Sequence, residues 1–179
     1  MKAKAFNRQV NQMKKVADFT FSKVFSSMQL LNFTVLYYNF DFDKEDIKTF
    51  NSHMIDYNNE CLDDDKEFFS EEERIFTQYG FSCHKAAIEF PIRAKIRMMG
   101  KMPKSKIEWE IAFRNATDAI EVCLVLILHE FTKNWNVTPS DVAEYWDNLK
   151  ANSMNYANGM TDEFVKQYFR DEIDLDIKG

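Results

Sequence analysis

The stretch "IEVCLVLILHEFTKNWNVTPSDVAEYWDNL", residues 120–149, decides the fold. It opens with an apolar run, read as the end of a helix launched by the Ser105–Glu108 capping box, and turns a polar, aromatic corner. It then restarts at Thr138, a hydroxyl residue followed by Pro139 and, at the third helical position, Asp141. Thr accepts from the free N–H groups of a first turn, Pro fits the first helical position because its missing N–H is not needed there, and an acid favours the positive end of the helix. The stretch therefore reads as helix, corner, helix.

A second stretch has the same plan. "MQLLNFTVLYYNFDFDKEDIKTFNSHM", residues 28–54, overlays it with an offset of about 95 residues. Phe40 meets Phe131, Phe42 falls near Trp135, Asp46 meets Asp141, Ile47 meets Val142 and Phe50 meets Tyr145. Each copy continues into a third segment, "SEEERIFTQYGFSC" in the first and "TDEFVKQYFRDEIDLDI" in the second. The expectation is an all-α bundle of six or more helices, built as a tandem duplication of a three-helix unit or as amphipathic helices that merely coincide in pattern.

Working outward, a first helix spans about Phe6 to Tyr38, with Val10, Met13, Ala17, Val24, Met28, Leu31 and Val35 at helical spacing and a break expected near Thr20. Asp43 caps the next helix, whose face is Ile47, Phe50, Met54 and Tyr57. Ser70 with Glu73, and Ser105 with Glu108, have the spacing of capping boxes. Gly80 and Gly159 suit helix stops, and Thr161 suits the start of the last helix. Residues 80–100 are ambiguous, since Pro91 interrupts a helix and "IRAKIRM" alternates as a strand does. The division that follows is 1–83, an N-terminal helical unit; 84–106, a basic connector; and 107–179, a C-terminal unit, within one compact body.

Of the 179 residues 45% are hydrophobic, against 4 Gly and 3 Pro, which suits long packed helices and excludes extensive disorder. The longest apolar run, residues 122–128, is far short of the roughly 20 residues a membrane helix requires. The basic N-terminus is not followed by the apolar core of a secretory signal. Cys61, Cys83 and Cys123 are odd in number, without metal-ligand spacing, and read as reduced thiols. A cytoplasmic protein is expected.

Charge alternates along the chain. Residues 1–26 carry six basic and one acidic residue, 27–83 four and thirteen, 84–106 seven and one, and 107–179 six and fourteen. Within the second basic block, "PIRAKIRMMGKMPKSK" (91–106) has six cations and no acid, although the net charge is −6. In an extended chain Arg93, Lys95 and Arg97 share one face. Lys101 and Lys104 follow, just ahead of a helix N-terminus. These five are the candidate contacts for an anion: a nucleotide phosphate, a nucleic-acid backbone or a partner's acidic face. The competing reading is a connector that neutralises the acidic units on either side. Generic duplex DNA is disfavoured by a pI near 5.2 and by the lack of a helix-turn-helix.

Catalytic signatures are thin. His129-Glu130 opens a zinc-protease motif, but Lys133 stands where the second His belongs. "DFDKED" (41–46) opens like a calcium loop, yet Asp46 replaces the required Gly and Ser52 the required Glu. The glycines stand alone, so there is no phosphate-cradling loop, and no Ser or Cys sits in a nucleophile elbow. Asp118 and Glu121, three apart in an apolar stretch, are the one pair suggesting a metal-dependent nucleotide hydrolase. No metal, cofactor or catalytic residue is otherwise expected.

Leu128, His129, Glu130 and Phe131, with the capped helix and "GMTDEFVKQYFRDEIDLDI" after them, resemble a set of small helical proteins encoded by phages and prophages of Gram-positive bacteria. The corner "TKNWNV" lacks the glycines and basic run usual in that set, so a shared ligand site is not implied. The resemblance implies a phage context, in the cytoplasm of an infected host. From it we expect a non-enzymatic binding protein that blunts a bacterial defence system, through a host protein partner or an anionic nucleotide signal. The thirteen carboxylates of residues 27–83 suit a basic, nucleic-acid-binding partner, and an exposed apolar helix face would serve a homo-oligomer equally well.

Overall fold

The computed structural model describes the backbone of residues 2–61 and 65–173 and, within it, the side chains of residues 7, 10–60 and 66–171; the side chains of Phe6 and Cys61 and the tail "DLDIKG" lie outside the described residues. Eight helices and no strand are found there: α1 (Lys2–Asn39), α2 (Lys44–Cys61), α3 (Asp65–Tyr79), α4 (Cys83–Glu89), α5 (Ile92–Met98), α6 (Lys106–Asn134), α7 (Pro139–Ala157) and α8 (Asp162–Ile173). The chain is an all-α bundle.

Its axis is α6. Residues 123–131 are buried without interruption, so this part of the helix is covered on every side, which explains its lack of a polar face. α1 lies alongside it in parallel: Gln12 bonds Glu108, Asn32 bonds Cys123, and the Phe40 ring meets Phe131. α2 and α3 pack on α6, while α7 and α8 pack on α1. Two of the residue pairs set side by side by the sequence overlay are in contact. Phe40 and Phe131 are in edge contact at 5.2 Å, and Phe42 stacks on Trp135 at 5.0 Å.

Local signals set most boundaries. Asp43 accepts from Glu45 N and Asp46 N, while Asp46 accepts from Asp43 N, so the residues resembling a calcium loop form a reciprocal helix cap. Thr138 and Asp141 form a full capping box at α7, and Thr161 accepts from Phe164 N at α8. Gly80 (φ 69°) ends α3 in the left-handed region.

Three expectations are corrected. α1 runs through Thr20 without a break, because Thr20 is buried and tertiary packing carries the helix past it. α3 starts at Asp65, so Ser70 lies within the helix rather than at its cap: half-buried Phe68 and buried Glu71 and Ile75 extend its inward face upstream. "IRAKIRM" is helical, launched by Pro91 (φ −54°). An alternating pattern of seven residues makes a strand only where a partner edge exists, and the described residues offer none.

Candidate basic cleft between the first helix and the connector

With α5 helical, Arg93, Lys95 and Arg97 do not share a face. Arg93 is exposed. Lys95 is 3% exposed and points inward, its ammonium donating to Ile88 O at 3.1 Å and Thr117 Oγ1 at 3.4 Å. Burial lowers its pKa. Lys95 ties α4 and α5 to α6 and is not available to a ligand. The candidate contacts therefore divide, with Arg97, Lys101 and Lys104 on the outer surface of the connector.

Lys101 and Lys104 face a cleft of about 350 Å³ whose opposite wall is α1. That wall is built from Gln12, Lys15, Val16 and Phe19, spaced three and four apart and hence on one helical face. Lys101 Nζ lies 5.1 Å from the Phe19 ring centre, within cation–π range. Met102 and Pro103 complete an apolar floor.

Buried Glu108 anchors the cleft. One of its oxygens accepts from Gln12 Nε2 at 2.8 Å, fixing α1, and the other from Lys104 N at 2.6 Å, fixing the connector, while its own N–H is capped by Ser105 Oγ. Its partners are neutral donors, so its negative charge stays in the cleft lining beside the three positive charges of Lys15, Lys101 and Lys104. Gly100 (φ 73°) makes the connector's turn, and a Cβ there would come within 3.4 Å of the Lys23 side chain. On the far side of that contact a second cleft opens, with Lys23, Arg97 and Tyr156 on its walls.

In comparisons with known proteins, no family model, no curated protein and no solved structure matches the chain.

Asp118 and Glu121 lie one turn apart on α6, and both bear on His84. Asp118 is exposed, whereas Glu121 Oε2 sits 2.8 Å from His84 Nδ1 and raises the histidine's pKa. No three His, Cys, Asp or Glu side chains among the described residues are grouped as metal ligands. His129 lies within α6, its ring stacked on Tyr57 at 3.4 Å and its Nδ1 3.0 Å from Glu71 Oε1, close enough for an ion pair but off the line of a hydrogen bond. Glu71 also takes two nitrogens of Arg74, which reaches Thr132. Burial works to raise the Glu71 pKa, but His129 and Arg74 outweigh it and hold the carboxyl down at about 2. Cys83 and Cys123 are buried free thiols, the latter pushed up to about 12 by burial against a partial offset from the Asn32 hydrogen bond. Among the described residues no helix is long and apolar enough to cross a membrane.

The α1 contribution escapes a reading centred on the connector. Its signal was nonetheless present: Lys15, Phe19 and Lys23 recur every four residues in a block of net charge +5.

Proposed function

We propose that the chain is a non-enzymatic binding protein that captures an anionic ligand of the nucleotide class in the cleft between α1 and the connector. The observation that carries this reading is three lysines, Lys15, Lys101 and Lys104, around an apolar floor that includes an aromatic ring. Its volume falls within the range of small-molecule sites, about 300–1,000 Å³. The lysines meet phosphate oxygens, while Phe19, Val16 and Met102 offer a surface to a base. Phosphate displaces the Lys101 ammonium from Phe19 and frees the ring face for stacking. The setting we propose is phage infection, with the ligand a host defence signal; it is supported by the resemblance carried by Leu128–Phe131.

A second reading, capture of a host protein, is supported by α3. Phe69 and Phe76 are 63% and 58% exposed on one helical face with Glu72 and Glu73 between them. Such a face complements a basic, amphipathic partner.

The test is a thermal-shift series against mono- and dinucleotides, with and without Mg²⁺, followed by mass analysis of the ligand. We expect a shift that survives EDTA, intact recovery of the ligand, and loss of the shift in Lys101→Glu/Lys104→Glu. Mg²⁺-dependent recovery of cleaved product that disappears in Asp118→Ala would instead establish the hydrolase. An unshifted melting temperature with every nucleotide moves the function to the α3 face.

A further inference from the structure

The basic cleft holds one charge of the wrong sign for an anion. Glu108 lies in its lining, 6% exposed, and its two oxygens accept only from neutral donors, Gln12 Nε2 at 2.8 Å and the Lys104 N–H at 2.6 Å. A carboxylate has about four acceptor sites, so these bonds leave part of its capacity unused. Its place in the first turn of α6 favours the charged form, because the positive end of a helix stabilises an acid. On the α1 wall, one turn beyond Val16, Thr20 is 3% exposed, and its hydroxyl bonds to no described residue.

A ligand that was anionic throughout would meet Glu108 as a repulsion. Three cations and one buried carboxylate match instead a molecule with phosphates at one end and a hydrogen-bond donor at the other. We infer, resting on the nucleotide reading, that the cleft selects a purine base bearing an exocyclic amine. With the phosphates on Lys15, Lys101 and Lys104 and the base stacked on Phe19, the amine donates to an unused lone pair of Glu108, and the Thr20 hydroxyl donates to a ring nitrogen. Glu108 is then the residue that sets specificity. A base with a carbonyl in place of the amine brings an acceptor against the carboxylate and is rejected.

The test is calorimetric titration of the full chain with adenosine triphosphate and with purine riboside triphosphate, which differs only in lacking the 6-amine. The native chain is expected to bind adenosine triphosphate about tenfold or more tighter, the effect of one hydrogen bond to a charged group. Glu108→Gln keeps the shape and removes the charge. The analogue should then bind as tightly as before or tighter, while the preference for the amine shrinks to about threefold or less. Thr20→Val should weaken both nucleotides by about three- to tenfold and leave their ratio unchanged. Equal binding of the two nucleotides by the native chain would overturn the inference and leave the nucleotide reading standing. A folded Glu108→Gln that weakens both alike would also overturn it, since a residue that only holds the cleft open does not discriminate between bases. Binding of neither nucleotide would overturn the nucleotide reading and the inference together. Should Glu108→Gln fail to fold, the comparison in the native chain decides alone.

Discussion

Replacing Glu71 by Gln should reveal how α3 is held to α6. The carboxylate is 6% exposed, accepts from two nitrogens of Arg74 and faces His129 Nδ1 at 3.0 Å. Its pKa falls from 4.5 to about 2 on folding. At about 1.4 kcal/mol per unit this bounds the differential stabilisation near 3 kcal/mol. A depressed carboxylate pKa gives stability that is fully present above the unfolded value and disappears as pH falls from 4.5 towards 2. The assay is urea unfolding of both proteins at several pH values between 7 and 2.5, comparing the difference between them so that other titrating carboxylates cancel. We expect Glu71→Gln to be less stable by roughly 2–3 kcal/mol at pH 7, with the gap closing as pH drops below 4.5. A gap that stays constant with pH, or one under about 0.5 kcal/mol at pH 7 as for a surface pair, would refute the assignment.

Three further outcomes follow from named contacts. Phe131→Ala removes a ring that touches Phe40, Phe42 and Tyr145 at the meeting of the long helices, and should cost about 3–5 kcal/mol by chemical denaturation. The Glu121 hydrogen bond raises the His84 pKa. An NMR titration should place it above 6.5 and Glu121→Gln should lower it towards 6.5, with Glu72 and Asp118 still raising it; because a raised histidine pKa stabilises only while the ring is protonated, its small contribution is present below 6.5 and lost as pH rises through the folded value. Lys95→Ala should destabilise by about 1–3 kcal/mol, by leaving Ile88 O unpaired, without changing nucleotide affinity in the fraction that remains folded; a selective loss of affinity would return Lys95 to the ligand contacts.

Which features were legible in the sequence follows from the range of the forces involved. Caps act within one turn, so Asp43, Thr138 and Thr161 marked their helices correctly. Periodicity reports burial summed over a face, and Ile47, Phe50, Met54 and Tyr57 are all buried. Ser70 misled because a capping box is also an ordinary sequence inside a helix whose inward face starts earlier. Lys95 misled because burial of one cation among six depends on Ile88 and Thr117, seven and 22 residues away. The basic cleft was half legible. Its connector lysines stood out by charge, whereas pairing them with Lys15 and Phe19 needed the parallel contact of α1 with α6, which is fixed by Gln12–Glu108 across 96 residues.

The most direct test of the basic cleft is calorimetric titration with adenosine mono-, di- and triphosphate at fixed ionic strength, in the native chain and in Lys15→Ala/Lys101→Ala. If the lysines hold phosphate, affinity rises with each added phosphate and the double variant loses about tenfold or more for the triphosphate while losing less for the monophosphate. Affinity that is indifferent to phosphate number, or equal in the two proteins, would contradict it.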